Sequence, residues 1–407
     1  MSNILLIMKT GASEAYEKVP TQLVTTLRCH DDFLIFSDMK QSIAGVDIHD
    51  SLETMLPEAM EGNPDFDLYR RQKACAVDQE KCNKEAEGSS SSEGWSLDKY
   101  KNIHIAERVY DMRPDYDWYI TVDADTYVLW PNLVQLLSTL DPSQKHYIGS
   151  VTMIGDFPFG HGGSGYILSQ AAMKAFVEEN PGVASKYDVQ TQKTCCGDYM
   201  FAKALNDTTG IKVQNVWPTI NGEKPFTLPF GPSEWCQPIA TMHHMNSEEI
   251  STFWEFEKRF YESQEPTSNH TLLLKDIYEE FSRPRLEAKR EDWDNLSEDV
   301  YYLNAKANKY ETWQLDRAKQ GDLSDTEEDA HMSFEHCAKM CDEVEECFQF
   351  RFQDGICSYQ KGFLLGHPKK KDPKEDERWI SGWPVEKIKA WVQEHRHCDK
   401  PLWPTFD

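Results

Sequence analysis

Two carboxylates one residue apart, Asp123 and Asp125, stand directly behind the apolar, β-favouring run Trp118-Tyr119-Ile120-Thr121-Val122. Where a strand ends the chain bends, and both carboxylates can reach one divalent cation. Hard cations such as Mg²⁺ and Mn²⁺ take oxygen ligands and keep positions open for substrate phosphates. The competing possibility is a solvated acidic turn, a common feature in a chain with 69 acidic residues. Position favours the metal, because Tyr127-Val128-Leu129-Trp130 closes the pair in from the other side. An EF-hand is excluded: loop position 6 is Val128 rather than Gly, and position 12 is Val134 rather than Glu.

Such a pair needs elements to hold it. Residues 3–8 read as a buried strand ending in Lys9-Thr10-Gly11-Ala12, residues 13–28 carry helical spacing, and 32–38 form a second strand. Strand, helix, strand with polar residues at the strand ends predicts an α/β domain with a nucleotide-type crevice there. The Ser/Gly-rich stretch 80–94 reads as a loop, 97–112 and 131–139 as helices, and 147–149 as a short strand before a glycine-rich segment at 160–169. Residues 261–330 are acidic and read as a helical linker or packing segment.

The 407 residues carry 43 Lys and Arg against 69 Asp and Glu, a net charge of −26. A grip on nucleic-acid phosphates needs a basic face, so that class is disfavoured. No run of about 18 apolar residues is present, and no membrane span is expected in this chain. The 11 cysteines lack the C-x-x-C pairs of a zinc site. With three sequons, at Asn206, Asn269 and Asn295, they point to an oxidising compartment. The expected location is the secretory pathway, either the Golgi lumen as the soluble part of a type II membrane protein or the extracellular space.

Residues 117–142 (DWYITVDADTYVLWPNLVQLLSTLDP) followed by 160–169 (GHGGSGYILS) resemble the core of the fringe and core-1 β1,3-galactosyltransferase family, glycosyltransferase family 31. Fungal members are closest in style, with a Lys-Thr-Gly near the start, here Lys9-Thr10-Gly11, and a cysteine-rich appendage. The resemblance spans about residues 3 to 260. It implies a Rossmann-like GT-A fold, a UDP-sugar donor, a Mn²⁺ ion, inversion at the anomeric carbon and a β1,3 linkage to a glycan or glycoprotein acceptor.

Carried onto this sequence, the resemblance places the metal on Asp125, with Asp123 beside it, on the ribose or on a metal-bound water. His243 completes the metal site, with adjacent His244 as the alternative. The general base is Asp198, which follows Gly197 where the family has Glu; a helix N-cap is the competing role for it. Thr10 and Asp38 match positions that touch uridine, and Lys101, or equally Lys99, pairs with a phosphate. Gly162, Gly163 and Gly165 make a tight turn and let backbone approach the sugar diphosphate. Trp217 and Trp235 either stack on acceptor sugars or pack.

Near the C-terminus, Phe334 to Tyr359 resemble the PAN/Apple fold, which implies disulfides Cys337–Cys357 and Cys341–Cys347 and a glycan or protein ligand. Cys398 then needs a partner outside that pattern. The domains expected are a catalytic unit at 1–260, the acidic segment at 261–330, and the cysteine-rich module with its tail at 331–407. Two alternatives stand beside the transferase: a non-catalytic glycan- or protein-binding protein on the same scaffold, and a haloacid-dehalogenase-type phosphatase with Asp123 as nucleophile. The phosphatase is disfavoured, because its motif belongs on the first strand.

Overall fold

The earliest apolar run becomes the middle of the main sheet. In the computed structural model, which describes residues 3–75, 81–82, 93–264, 270–304, 310–374 and 377–406, the chain divides into two compact units. The first comprises 1–222, 239–270 and 403–407; the second comprises 223–238 and 271–402. Most of the stretch 80–94 lies outside the described residues, as does Asn269.

In the first unit the strands are β1 (Ile4–Lys9), β2 (Phe33–Ser37), β3 (Gln41–Ile43), β4 (Val46–Asp50), β5 (Trp118–Asp123), β6 (Tyr127–Val128), β7 (Tyr147–Gly149), β8 (Val151–Ile154), β9 (Phe157–Gly160), β10 (Tyr166–Ser169), β11 (Gln214–Asn215) and β12 (Thr241–Met242). Eight of them form one sheet in the order β11-β7-β10-β5-β1-β2-β4-β3. Strands β5, β1, β2 and β4 run parallel, and β10 is antiparallel to both its neighbours. Their apolar residues are buried on both faces, as a sheet covered on two sides requires. Tyr119, Tyr166 and Phe201 lie in one core cluster, and Ile35, Ile120 and Ile167 in another.

This topology decides where chemistry can sit. Strand β1 lies between β2 and β5, so the loops that follow these three parallel strands leave the sheet at one edge. Crevices at such strand ends are where open α/β sheets bind ligands. Thr10, Asp38 and the Asp123–Asp125 pair all stand there. Strand β5 is fifth in the chain, which removes the premise of the phosphatase alternative. Helices α1 (Ala15–Val24), α2 (Glu93–Asp98), α3 (Lys101–Met112), α4 (Gly197–Thr209) and α5 (Ser247–Glu262) complete the frame of the site.

The second unit contains a five-stranded sheet in the order Lys289–Glu291, Ile380–Gly382, Gln349–Gln353, Ile356–Gln360, Val300–Leu303. The helical expectation for 261–330 is therefore corrected. Val300-Tyr301-Tyr302-Leu303 is rich in β-branched and aromatic residues, and it pairs along Ile356–Gln360. The two implied disulfides, Cys337–Cys357 and Cys341–Cys347, are present, and Cys398 bonds Cys236, 162 residues away. Trp235 is buried in this unit against Tyr278 and Trp391, and its indole donates to the His395 carbonyl. It is a packing residue, not a sugar platform. Asn295 is fully buried, with Nδ2 donating to the Phe350 carbonyl. Among the described residues no helix is long and apolar enough to cross a membrane.

Candidate active site

A cavity of about 680 Å³ opens in the first unit, within the range that holds small-molecule ligands. Thr10, Lys101, Asp123, Asp125, Gly162, Gly163, Asp198 and His243 line it, so eight of the nine expected site residues converge. Asp38 stands behind the wall. Its Oδ1 accepts from the Ala12 amide at 2.9 Å and from the Lys101 ammonium at 3.1 Å, while Oδ2 is buried without a hydrogen bond. Trp217 is not among the lining residues.

The backbone joins three sequence-distant motifs through two threonines. Thr126, just after the acidic pair, donates to the Gly163 carbonyl at 2.7 Å, and Thr241, just before the histidines, donates to the Ser164 carbonyl at 2.7 Å. The Met245 amide donates to the Asp125 carbonyl at 3.0 Å. Glycine is required at 163 by close approach, because a Cβ there would overlap the His243 ring. Gly165 has φ +89° and turns the chain into β10.

His243 Nε2 lies 3.1 Å from Asp125 Oδ1 and 4.0 Å from Asp123 Oδ2. Its ring is buried and Nδ1 has no hydrogen-bond partner. Asp125, His243 and His244 each present a ligand atom within 4.8 Å of the others, so both histidines stay within reach. That group is one carboxylate and two imidazoles, with Asp123 Oδ2 standing 4.0 Å from His243, and such oxygen and nitrogen donors suit a divalent cation such as Mn²⁺. Burial works to raise the Asp125 carboxyl, but its hydrogen bond to His243, the charge on that ring and Lys18 outweigh it and hold the group well below the usual range. Burial pushes Asp123 up, with Lys9 only partly opposing it.

Asp198 lies in the first turn of α4. Its Oδ2 accepts from the Gly162 amide and its Oδ1 from the Tyr199 amide, both at 2.8 Å. The helix cap position belongs to Cys196, so the N-cap role is not the one Asp198 fills. Gly197 is explained by crowding: a Cβ there would stand 2.6 Å from Asn102 Nδ2 and 2.8 Å from the Lys99 carbonyl. The family's Glu has no room. Cys195 and Cys196, next to it, are bonded to each other and line the same cavity.

The lysines are placed differently from expectation. Lys101 Nζ is 1% exposed and turned inward to the Thr10 carbonyl, Asp38 and Asp98. Lys99 Nζ pairs with Asp65 at 2.8 Å. Both residues line the cavity, with their ammonium groups paired to these protein partners. Sequence reasoning passed over Lys9, Lys18 and Asp98. Lys18 Nζ sits 3.1 Å from Asp125 Oδ2, and Lys9 pairs with both Asp98 and Asp123. The available signal for Lys9 was its place at the end of β1, in the Lys-Thr-Gly stretch.

Residues 63–216 match the model of the Fringe family, described as Fringe-like. Among solved structures, the chain is similar to a glycosyltransferase involved in glycosylation of the major capsid of PBCV-1, at 14% identity over 62% of this chain and 98% of that one, with a TM-score of 0.31. It is also similar to the galactosyltransferase LgtC in complex with donor and acceptor sugar analogues, at 9% identity over 62% of this chain and 95% of that one, also with a TM-score of 0.31. Thr10, Asp38 and His243 fall outside the matched residues. Residues 63–216 are thus a Fringe-like segment, and within it stand Lys101, Asp123, Asp125, Gly162, Gly163 and Asp198.

Proposed function

We propose that this protein is a metal-dependent inverting glycosyltransferase that moves a sugar from a UDP-sugar to a hydroxyl of a glycan or glycoprotein, forming a β1,3 linkage. The observation that carries the reading is the convergence of Asp123, Asp125, His243 and Asp198 on one cavity at the ends of parallel strands. Asp125 and His243, with Asp123, would hold the cation. Bound there, Mn²⁺ supplies Lewis-acid stabilisation of the charge that develops on the leaving diphosphate.

The protein's own residues do the rest. A carboxylate has about four lone-pair sites, and Asp198 gives one on each oxygen to a backbone amide. The remaining sites can take the proton of an acceptor hydroxyl as the new bond forms. Thr10 serves the uridine from the cavity wall, and Asp38 supports that wall from behind through the Ala12 amide and Lys101. Gly162 and Gly163 keep side chains out of the path of the sugar diphosphate.

The reading extends to location and to the second unit. Five disulfides among the described residues support a secretory location. Residues 331–407 we read as a PAN/Apple-like module and its tail, with a glycan or protein ligand, on the strength of two nested disulfides that start from the helix Phe334–Glu343.

Calorimetry of UDP binding with Mn²⁺ and with chelator tests the site, followed by a hydrolysis screen over UDP-sugars. Binding should require the cation and disappear in Asp125→Ala. Equal affinity in chelator would refute the assignment.

A further inference from the structure

Along one wall of the cavity five charged side chains alternate in sign, Lys9, Asp98, Lys101 and Asp123 lining it and Asp38 standing behind. Asp38 Oδ1 lies 3.1 Å from Lys101 Nζ, which lies 3.3 Å from Asp98 Oδ1. The other Asp98 oxygen lies 2.5 Å from Lys9 Nζ, and Lys9 Nζ lies 3.2 Å from Asp123 Oδ1. The Lys101 and Asp38 side chains are each 1% exposed and that of Lys9 is 7% exposed. The members come from four places in the chain, Asp98 and Lys101 being three residues apart, and the fold brings them together.

Geometry gives the row a direction. In the parallel pairing of β1 with β5, Lys9 is the register partner of Asp123, so the sheet itself sets the lysine beside the carboxylate. Lys101 has three donors and faces three acceptors, the Thr10 carbonyl, Asp38 and Asp98. It therefore fixes Asp98, and Asp98 fixes Lys9. Lys9 Nζ stands against Oδ1 of Asp123 as an ion pair without hydrogen-bond geometry, and Oδ2 is the oxygen that faces His243 Nε2. Burying two ammonium groups costs several kcal/mol each before pairing, and apolar residues of similar size often serve stability as well or better. The arrangement makes sense as a device for orientation.

We propose that Lys9, held by Asp98, is a positioning residue that orients Asp123 for the divalent cation. It acts on the ion through the carboxylate. The proposal rests on the metal-dependent reading above. Outer partners of metal ligands contribute about 10–100-fold to metal affinity, which sets the expected effect.

The test is a Mn²⁺ titration without nucleotide, followed by the paramagnetic resonance of free ion, on wild type, Lys9→Met, Asp98→Asn, the double variant and Asp125→Ala, with thermal midpoints alongside. Lys9→Met should weaken Mn²⁺ about 10–100-fold, and Asp98→Asn several-fold. The double variant should bind no worse than Lys9→Met, because both act along one path. Should Lys9→Met fail to fold, Asp98→Asn alone carries the comparison. Unchanged Mn²⁺ affinity in the folded Lys9 and Asp98 variants, or losses that simply add, overturns the proposal while Asp125→Ala still reports a metal site. No Mn²⁺ binding by wild type overturns the metal reading itself, and the proposal with it.

Discussion

Replacing Asp198 by Asn separates catalysis from structure at a single atom. The amide keeps one oxygen but offers an NH₂ group where the second carboxylate oxygen stood. One of the two amides now satisfied at 2.8 Å, Gly162 or Tyr199, loses its acceptor. An orphaned buried donor costs about 1–3 kcal/mol, and loss of a negative charge in the first turn of α4 adds about 0.3–1 kcal/mol. A fall of a few degrees in the thermal midpoint should follow. The kinetic loss is larger, since an amide cannot take a proton at neutral pH. A general base contributes about 10²–10⁴-fold, or roughly 3–5 kcal/mol of barrier, so kcat should fall by at least a hundredfold. Affinity for UDP should stay within about threefold, under 1 kcal/mol, because Asp198 faces the acceptor. The assay is turnover per folded molecule, with calorimetric UDP affinity and thermal midpoint measured on the same preparation. Full turnover in a destabilised Asp198→Asn protein would make this carboxylate a helix-end group and place the base elsewhere.

Three further outcomes are expected. Gly163→Ala should drive the His243 ring from its place and weaken Mn²⁺ by about tenfold or more, and unchanged Mn²⁺ affinity would remove His243 from the metal site. Burial pushes Glu257 up to about 7, with Tyr127 donating to it and opposing the shift. The unfolded chain therefore ionises this group first, and the protein loses about 1–3 kcal/mol as pH rises from about 4.5 to about 7. Urea midpoints at pH 5 and 7.5 should show that loss in wild type and a smaller one in Glu257→Gln; parallel behaviour would discard the assignment. Asn295 should be found unglycosylated by peptide mapping, and Asn295→Ala should cost about 1–3 kcal/mol by removing its Nδ2 bonds to the Phe350 and Gly382 carbonyls and the acceptor of the buried Ser297 hydroxyl.

What the sequence determined alone was everything that depends on neighbours in the chain. The strand 118–122 with its acidic pair, the first strand, the glycine turn and Asp198 are local patterns. Period and turn chemistry exposed the strands and the glycine turn, the family resemblance pointed to Asp198, and the fold brought Lys9, Asp123, Asp125, Gly162, Gly163 and Asp198 to one cavity. The pairings Cys337–Cys357 and Cys341–Cys347 came from the resemblance to the PAN/Apple pattern, and both bonds are present.

Tertiary structure alone decided what depends on register and packing. Lys9 faces Asp123 because β1 pairs with β5 in one register, and a one-residue slip would turn it to the other face of the sheet. Lys101 looks from the sequence like a phosphate partner, yet burial beside Asp38 and Asp98 makes its ammonium an internal clamp. Nothing near Cys398 foretells a bond to Cys236, and nothing in a sequon tells that Asn295 is sealed inside a sheet. Residues 300–303 became a strand rather than a helix because Ile356–Gln360 offered a partner more than 50 positions away. Local chemistry is written in order along the chain. Which charges cancel, which donors are satisfied and which side chains are lost to solvent is settled only when distant segments meet.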